Sequence, residues 1–119
     1  MRTTLGMMIF AMLVSPDSGA QEKGKDDGAK LYNLYCTQCH GTNGNGKGVN
    51  AAHMSVQPRS HIDREEMMTR SDEELFKVIE QGGKSIDKSN LMPAWGDNLS
   101  DHEINELVAY LRTLCCQDN

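Results

Sequence analysis

Apolar positions recur at helical spacing in three stretches of the chain, and nowhere is there sustained strand alternation, so the pattern predicts an all-α fold. The first stretch carries Leu31, Tyr32, Leu34 and Tyr35, with Asp26 or Asp27 as its N-cap. The second opens at Ser71, where Glu74 completes a capping box ahead of Leu75, Phe76, Val78 and Ile79, and it closes at Gly82-Gly83. Ser100 and Glu103 repeat that box in the third. There Leu99 and Ile104 stand at the positions of a hydrophobic staple, and Ile104, Leu107, Val108, Leu111 and Leu114 recur at helical spacing. Between the first two stretches, Gly41-Thr42-Asn43-Gly44-Asn45-Gly46-Lys47-Gly48 is too rich in glycine for regular structure and suits a chain that turns sharply. A phosphate-cradling loop is disfavoured there, because no strand precedes it and no Gly-Lys-Ser/Thr ending opens a helix.

The first helix runs into Cys36-Thr37-Gln38-Cys39-His40, a C-x-x-C-H arrangement of the kind that covalent attachment of one haem c demands. Residues i and i+3 share a helical face, so Cys36 and Cys39 can each present a sulfur to a haem vinyl group. His40 follows directly and can donate a ring nitrogen to the iron. Two other uses of the cysteines fit less well. A thioredoxin-type dithiol normally opens a helix after a strand within a βαβ pattern, which this chain lacks. A structural zinc site needs two more ligands, and the remaining cysteines, Cys115 and Cys116, are adjacent and would chelate one tetrahedral metal poorly.

Export fits the haem reading. Arg2, an apolar run from Leu5 to Val14 too short to span a bilayer, and Ser18-Gly19-Ala20 read as a cleavable signal peptide over residues 1–20, with an uncleaved membrane anchor as the alternative. Residues 21–26 read as a flexible leader and 27–119 as one small domain. Only 5% of the 119 residues are aromatic, so the core is thin and gains from a large apolar disc at its centre. The net charge of −5 argues against nucleic acid and permits docking to a basic patch on a partner.

Together these motifs resemble the small bacterial class I cytochromes c, over nearly all of the chain beyond the signal peptide. Gly28, Tyr32, Cys36-x-x-Cys39-His40-Gly41 and the glycines after it resemble that family's N-terminal helix and haem-binding loop. Leu91-Met92-Pro93-Ala94-Trp95-Gly96 resembles its sixth-ligand loop, and Leu107-Val108-Ala109-Tyr110-Leu111 its C-terminal helix. The resemblance implies three main helices and loops wrapped around one haem, with Gly28 and Tyr32 meeting Tyr110 where the terminal helices cross. It also implies Met92 as the distal iron ligand: a thioether is a soft donor and Pro93 stiffens its loop. Met67 and Met68 read as packing residues, and Met54 lies in a loop outside the family context. Tyr32 and Trp95 fall in the haem environment, and Arg59 is a candidate contact for a haem propionate.

Some positions depart from the family or stand outside its motifs. Many relatives place a proline after the early loop glycine and use its carbonyl to orient the proximal histidine; Val49 stands there in this chain. His53, His61 and His102 read as surface or loop residues, with His61 the one candidate for the haem edge. Cys115 and Cys116 could form a vicinal disulfide, bridge to a dimer or partner, remain reduced, or place a thiolate on iron instead of Met92. Histidine and methionine ligation leaves no open coordination position, so the expected function is that of a periplasmic electron shuttle between a redox donor and acceptor, soluble after signal cleavage and not an enzyme. The alternatives are a haem c subunit of a larger redox complex, or a gas-binding haem protein with a displaceable or cysteine axial ligand.

Overall fold

The computed structural model describes residues 19–88 and 90–117, with side chains from Asp27 onward. Helices α1 (Gly19–Tyr35), α2 (Thr37–His40), α3 (Arg64–Met67), α4 (Asp72–Gln81) and α5 (Asp101–Cys115) follow in order, with 3₁₀ turns at Ala51–His53 and Gly83–Ile86. No strand occurs among the described residues, so the fold is all-helical, with α1, α4 and α5 its three main helices. The signal peptide expected over residues 1–20 lies, but for its last two positions, outside the described residues. Helix α1 already includes Gly19, the first described residue, rather than opening at Asp26 or Asp27, so residues 21–26, read as a leader, have helical backbone. Gln21, Glu22 and Lys23 are good helix formers, and a single Gly24 costs only about 1 kcal/mol.

Both capping boxes form. Ser71 and Glu74 exchange their hydrogen bonds at the start of α4, and Ser100 and Glu103 do so at α5. The two Ser100 hydrogen bonds hold the Glu103 carboxyl below its ordinary pKa. A depressed carboxylate stabilises the fold above its unfolded pKa and loses that contribution as pH falls through the folded value. Ser100→Ala should therefore lower stability at neutral pH, and the gap to wild type should narrow as thermal melts are taken into acid.

Helix α5 buries Ile104, Leu107, Val108 and Leu111, the i, i+3, i+4, i+7 face expected from the pattern. They join Tyr32, Met67, Leu75, Ile79 and Leu99 in one core. Helix α1 packs chiefly on α5, and Gly28 makes the crossing close: a Cβ there would lie 2.2 Å from the Glu106 carbonyl oxygen and 2.9 Å from Tyr110 Cβ. The Tyr32 and Tyr110 rings meet beside it with centroids 5.2 Å apart, as the family resemblance implied. A carbonyl in a helix cannot rotate aside, so Gly28→Ala should cost about 3 kcal/mol of overpacking. That outweighs the gain of about 1 kcal/mol in helix propensity, and thermal unfolding of the purified protein would show it.

Arg112 fixes the other end of α5. Its guanidinium donates to Asp72 Oδ1 at 2.8 Å, to the Met67 carbonyl at 2.9 Å and to the Arg70 carbonyl at 2.6 Å, tying α5 to the junction of α3 and α4. Met67 is fully buried, as expected of a packing residue, whereas Met68 is 58% exposed. Successive residues at a helix end point about 100° apart, so only one of the pair can face the core.

Candidate functional site

A cavity of about 360 Å³ lies between α1, α2 and the segment from α4 to the Met92 loop. Every residue assigned to the site from sequence lines it: Cys36, Cys39 and His40, Met92 and Trp95, Tyr32 and Arg59. Leu75, Ile79 and Leu107 supply apolar wall, so the cavity and the hydrophobic core share residues. Met54 also lines it, which its place in the sequence did not suggest.

The cysteines sit on a single turn. Cys36 ends the reach of α1, accepting at its carbonyl from the His40 N–H at 2.9 Å, and Cys39 follows within α2. Neither takes part in a disulfide. Burial, with Cys39 adding to it, pushes the Cys36 thiol up to about 12. A dithiol oxidoreductase depends on the opposite environment, one that favours thiolate.

His40 Nδ1 lies 3.0 Å from the Arg59 carbonyl oxygen. A carbonyl only accepts, so Nδ1 carries the proton and Nε2 keeps its lone pair for a metal. The acceptor thus comes from Arg59, not from Val49, which is 74% exposed. Burial lowers the His40 pKa and keeps the ring neutral, as metal ligation needs. Arg59's own guanidinium is ion-paired to Glu66, with both residues on the cavity lining.

His61, the one loop histidine kept as a candidate for the haem edge, lines the cavity and is buried rather than on the surface. It is 8% exposed, its ring stacks on His40 with centroids 4.2 Å apart and planes 19° off parallel, and Nδ1 is hydrogen-bonded to the Tyr32 hydroxyl at 2.9 Å. Burial, then the neighbouring His40 and Arg59, push its pKa well down. His53 is exposed and the His102 side chain is 83% exposed, as expected.

The Met92 loop is held by the end of α4. A helix leaves its last carbonyls without intrahelical donors. Here the Trp95 N–H donates to the Ile79 carbonyl at 2.9 Å and the Gly96 N–H to Glu80 at 3.0 Å, while the Met92 carbonyl accepts from Gly83 at 3.2 Å. Gly82 makes the turn possible at φ 83°, with its Cα so close that a Cβ would lie 2.9 Å from the Met92 oxygen. The Trp95 ring packs on Tyr35, centroids 5.0 Å apart.

Cys115 and Cys116 are joined to each other as a vicinal disulfide, and neither lines the cavity. Joined in this way and away from the cavity, neither sulfur is placed to ligate iron instead of Met92.

Residues 24–111 match the family model described as "Cytochrome C oxidase, cbb3-type, subunit III", and the chain belongs to that family of cytochrome c domains. Over 100 residues, 84% of this chain, it is 30% identical to "Cbb3-type cytochrome c oxidase subunit CcoP" of Azospirillum brasilense, and it spans 30% of that relative's length. The solved "KustC0563 c-type cytochrome" is 28% identical with a TM-score of 0.61, over 75% of this chain and 98% of that one. A chain of the Kuenenia stuttgartiensis reducing HAO-like protein complex Kustc0457/Kustc0458, 24% identical with a TM-score of 0.65 over 86% of this chain and 50% of its own, shares the fold. Membership implies covalent haem c, and the site suits it: two thiols one helical turn apart, a neutral imidazole with Nε2 free, a thioether and apolar walls converge on one cavity. The domain is that of a c-type cytochrome, an electron carrier rather than a catalyst. No helix among the described residues is long and apolar enough to cross a membrane.

Proposed function

We propose that this protein is an exported, single-haem cytochrome that passes one electron at a time between redox partners, with Cys36 and Cys39 as thioether anchors and His40 and Met92 as the axial iron ligands. Haem c supplies a one-electron Fe(III)/Fe(II) couple. The observation that carries the reading is the convergence of those four side chains on one apolar cavity. His40 is turned by the Arg59 carbonyl so that Nε2 is free to ligate, and Met92 is fastened to the end of α4 through its backbone. With His40 and Met92 holding the iron, a substrate would have no coordination site on it. Tyr32, Leu75, Ile79, Leu107 and Trp95 line the cavity and would shield a bound haem from water.

Visible spectra of the oxidised and reduced protein, made where haem c can be attached, test this. The expected result is a low-spin spectrum in both states, a sulfur-to-iron charge-transfer band in the ferric form, and haem that stays with the chain in acid acetone. A colourless protein, or extractable haem, overturns it. Carbon monoxide added to the reduced protein at neutral pH should produce no rapid change if Met92 is a fixed ligand.

The relationship to the CcoP subunit favours a second reading, in which this domain is the haem c subunit of a larger redox complex. A shuttle elutes alone from its native source. A permanent subunit elutes with its complex and buries a larger apolar patch.

A further inference from the structure

We propose that His61 is a positioning residue for the proximal ligand, setting the rotation of the His40 imidazole plane by stacking on its face. The inference rests on the reading of His40 as the iron ligand. A single hydrogen bond from Nδ1 to the Arg59 carbonyl tolerates a broad fan of angles, so it alone leaves the His40 ring free to swing. A parallel ring 4.2 Å away closes that freedom from one side.

The His61 ring is held by contacts that do not involve the His40 ring. Its backbone N–H donates to the Gly44 carbonyl at 2.6 Å, fixing the residue to the glycine loop, and that loop is fixed in turn by Gly46 donating to the His40 carbonyl at 2.8 Å. Its Nδ1 is bonded to the hydroxyl of Tyr32, which is wholly buried and braced by the Tyr110 ring. The support for the ligand plane therefore runs from the crossing of α1 and α5, through Tyr32 and His61, to His40. A residue that only filled space would need neither a flat face parallel to His40 nor a hydrogen-bonded ring nitrogen. Both neighbours of the ligand come from one short segment, the Arg59 carbonyl and the His61 ring two residues on.

In ferric low-spin haem, the orientation of the axial imidazole plane governs how unpaired spin spreads over the porphyrin, and the proton NMR shifts of the haem methyl groups report it. The test compares His61→Phe, which keeps a flat face, with His61→Leu, which fills the space without one, both as haem-loaded protein. The expected result is that Phe keeps the wild-type order of haem-methyl shifts while Leu reorders them, with the low-spin optical spectrum kept in both. Unchanged order in His61→Leu, or equal reordering in the two variants, overturns the proposal. Should the Leu variant not retain haem, His61→Met replaces it under the same criteria. A wild-type protein lacking low-spin haem overturns the ligation reading itself, a result visible before any variant is made.

Discussion

His40→Ala should abolish stable holoprotein: purified under conditions that load the wild type, it should show no low-spin haem spectrum, and far-UV circular dichroism should show most of the helix lost. The size of the effect follows from the overlap of cavity and core. Leu75, Ile79 and Leu107 face the cavity and also belong to the hydrophobic cluster that joins α4 to α5. Without a group held in the roughly 360 Å³ beside that cluster, the part-exposed apolar lining of the cavity, Val78, Met92 and Trp95 among it, stays open to water. Each large apolar side chain is worth about 1.5–3 kcal/mol when buried, and a domain of this size has only about 5–15 kcal/mol in total. The Tyr32–His61 pair would also lose the ring on which His61 stacks. A His40→Ala protein with a full complement of low-spin haem and native helix content would show that His40 is neither ligand nor keystone.

The helices were legible because their signals are local. Ser71 with Glu74 and Ser100 with Glu103 each specify a helix start within four residues, and the apolar spacing that follows names the buried face. The C-x-x-C-H motif was legible for the same reason, and the contact of Gly28 with Tyr110 and the place of Met92 on the cavity wall through the family pattern. What the sequence hid lies in the loops, where partners are far apart along the chain. His61 carries no periodic signal; its burial comes from the Gly44 carbonyl and the Tyr32 hydroxyl, 29 residues from His61 in the second case. The acceptor for His40 is a backbone oxygen, which no side-chain pattern reveals, so the departure at Val49 leaves its identity open in the sequence. Arg112 looks like any exposed helical cation until the fold brings the Met67 and Arg70 carbonyls beneath it. The pairing of Cys115 with Cys116 was one of several options that adjacency leaves open.

The same limit gives Met54 its importance, because it makes two methionines, not one, candidates for the distal side. Both line the cavity. Their backbones differ. Met92 is braced at its own carbonyl by Gly83, and its loop is fastened by Trp95 and Gly96 to the open carbonyls at the end of α4. Met54 follows the 3₁₀ turn Ala51–His53, and its carbonyl accepts from the Gln57 side chain at 2.6 Å, a contact confined to its own loop. A sulfur that must stay on iron through repeated changes of charge needs the stiffer mount, which points to Met92. Met92→Ala should therefore eliminate the sulfur-to-iron band, introduce a high-spin ferric component and permit rapid carbon monoxide binding in the reduced state. It should also lower the reduction potential, since a thioether ligand raises it. Met54→Ala should leave the band and spin state unchanged, with at most the loss of packing expected of a half-buried methionine. Retention of the band in Met92→Ala with its loss in Met54→Ala would move the distal ligand to the other loop, and equilibrium redox titration of the two variants side by side would show the same reversal in potential.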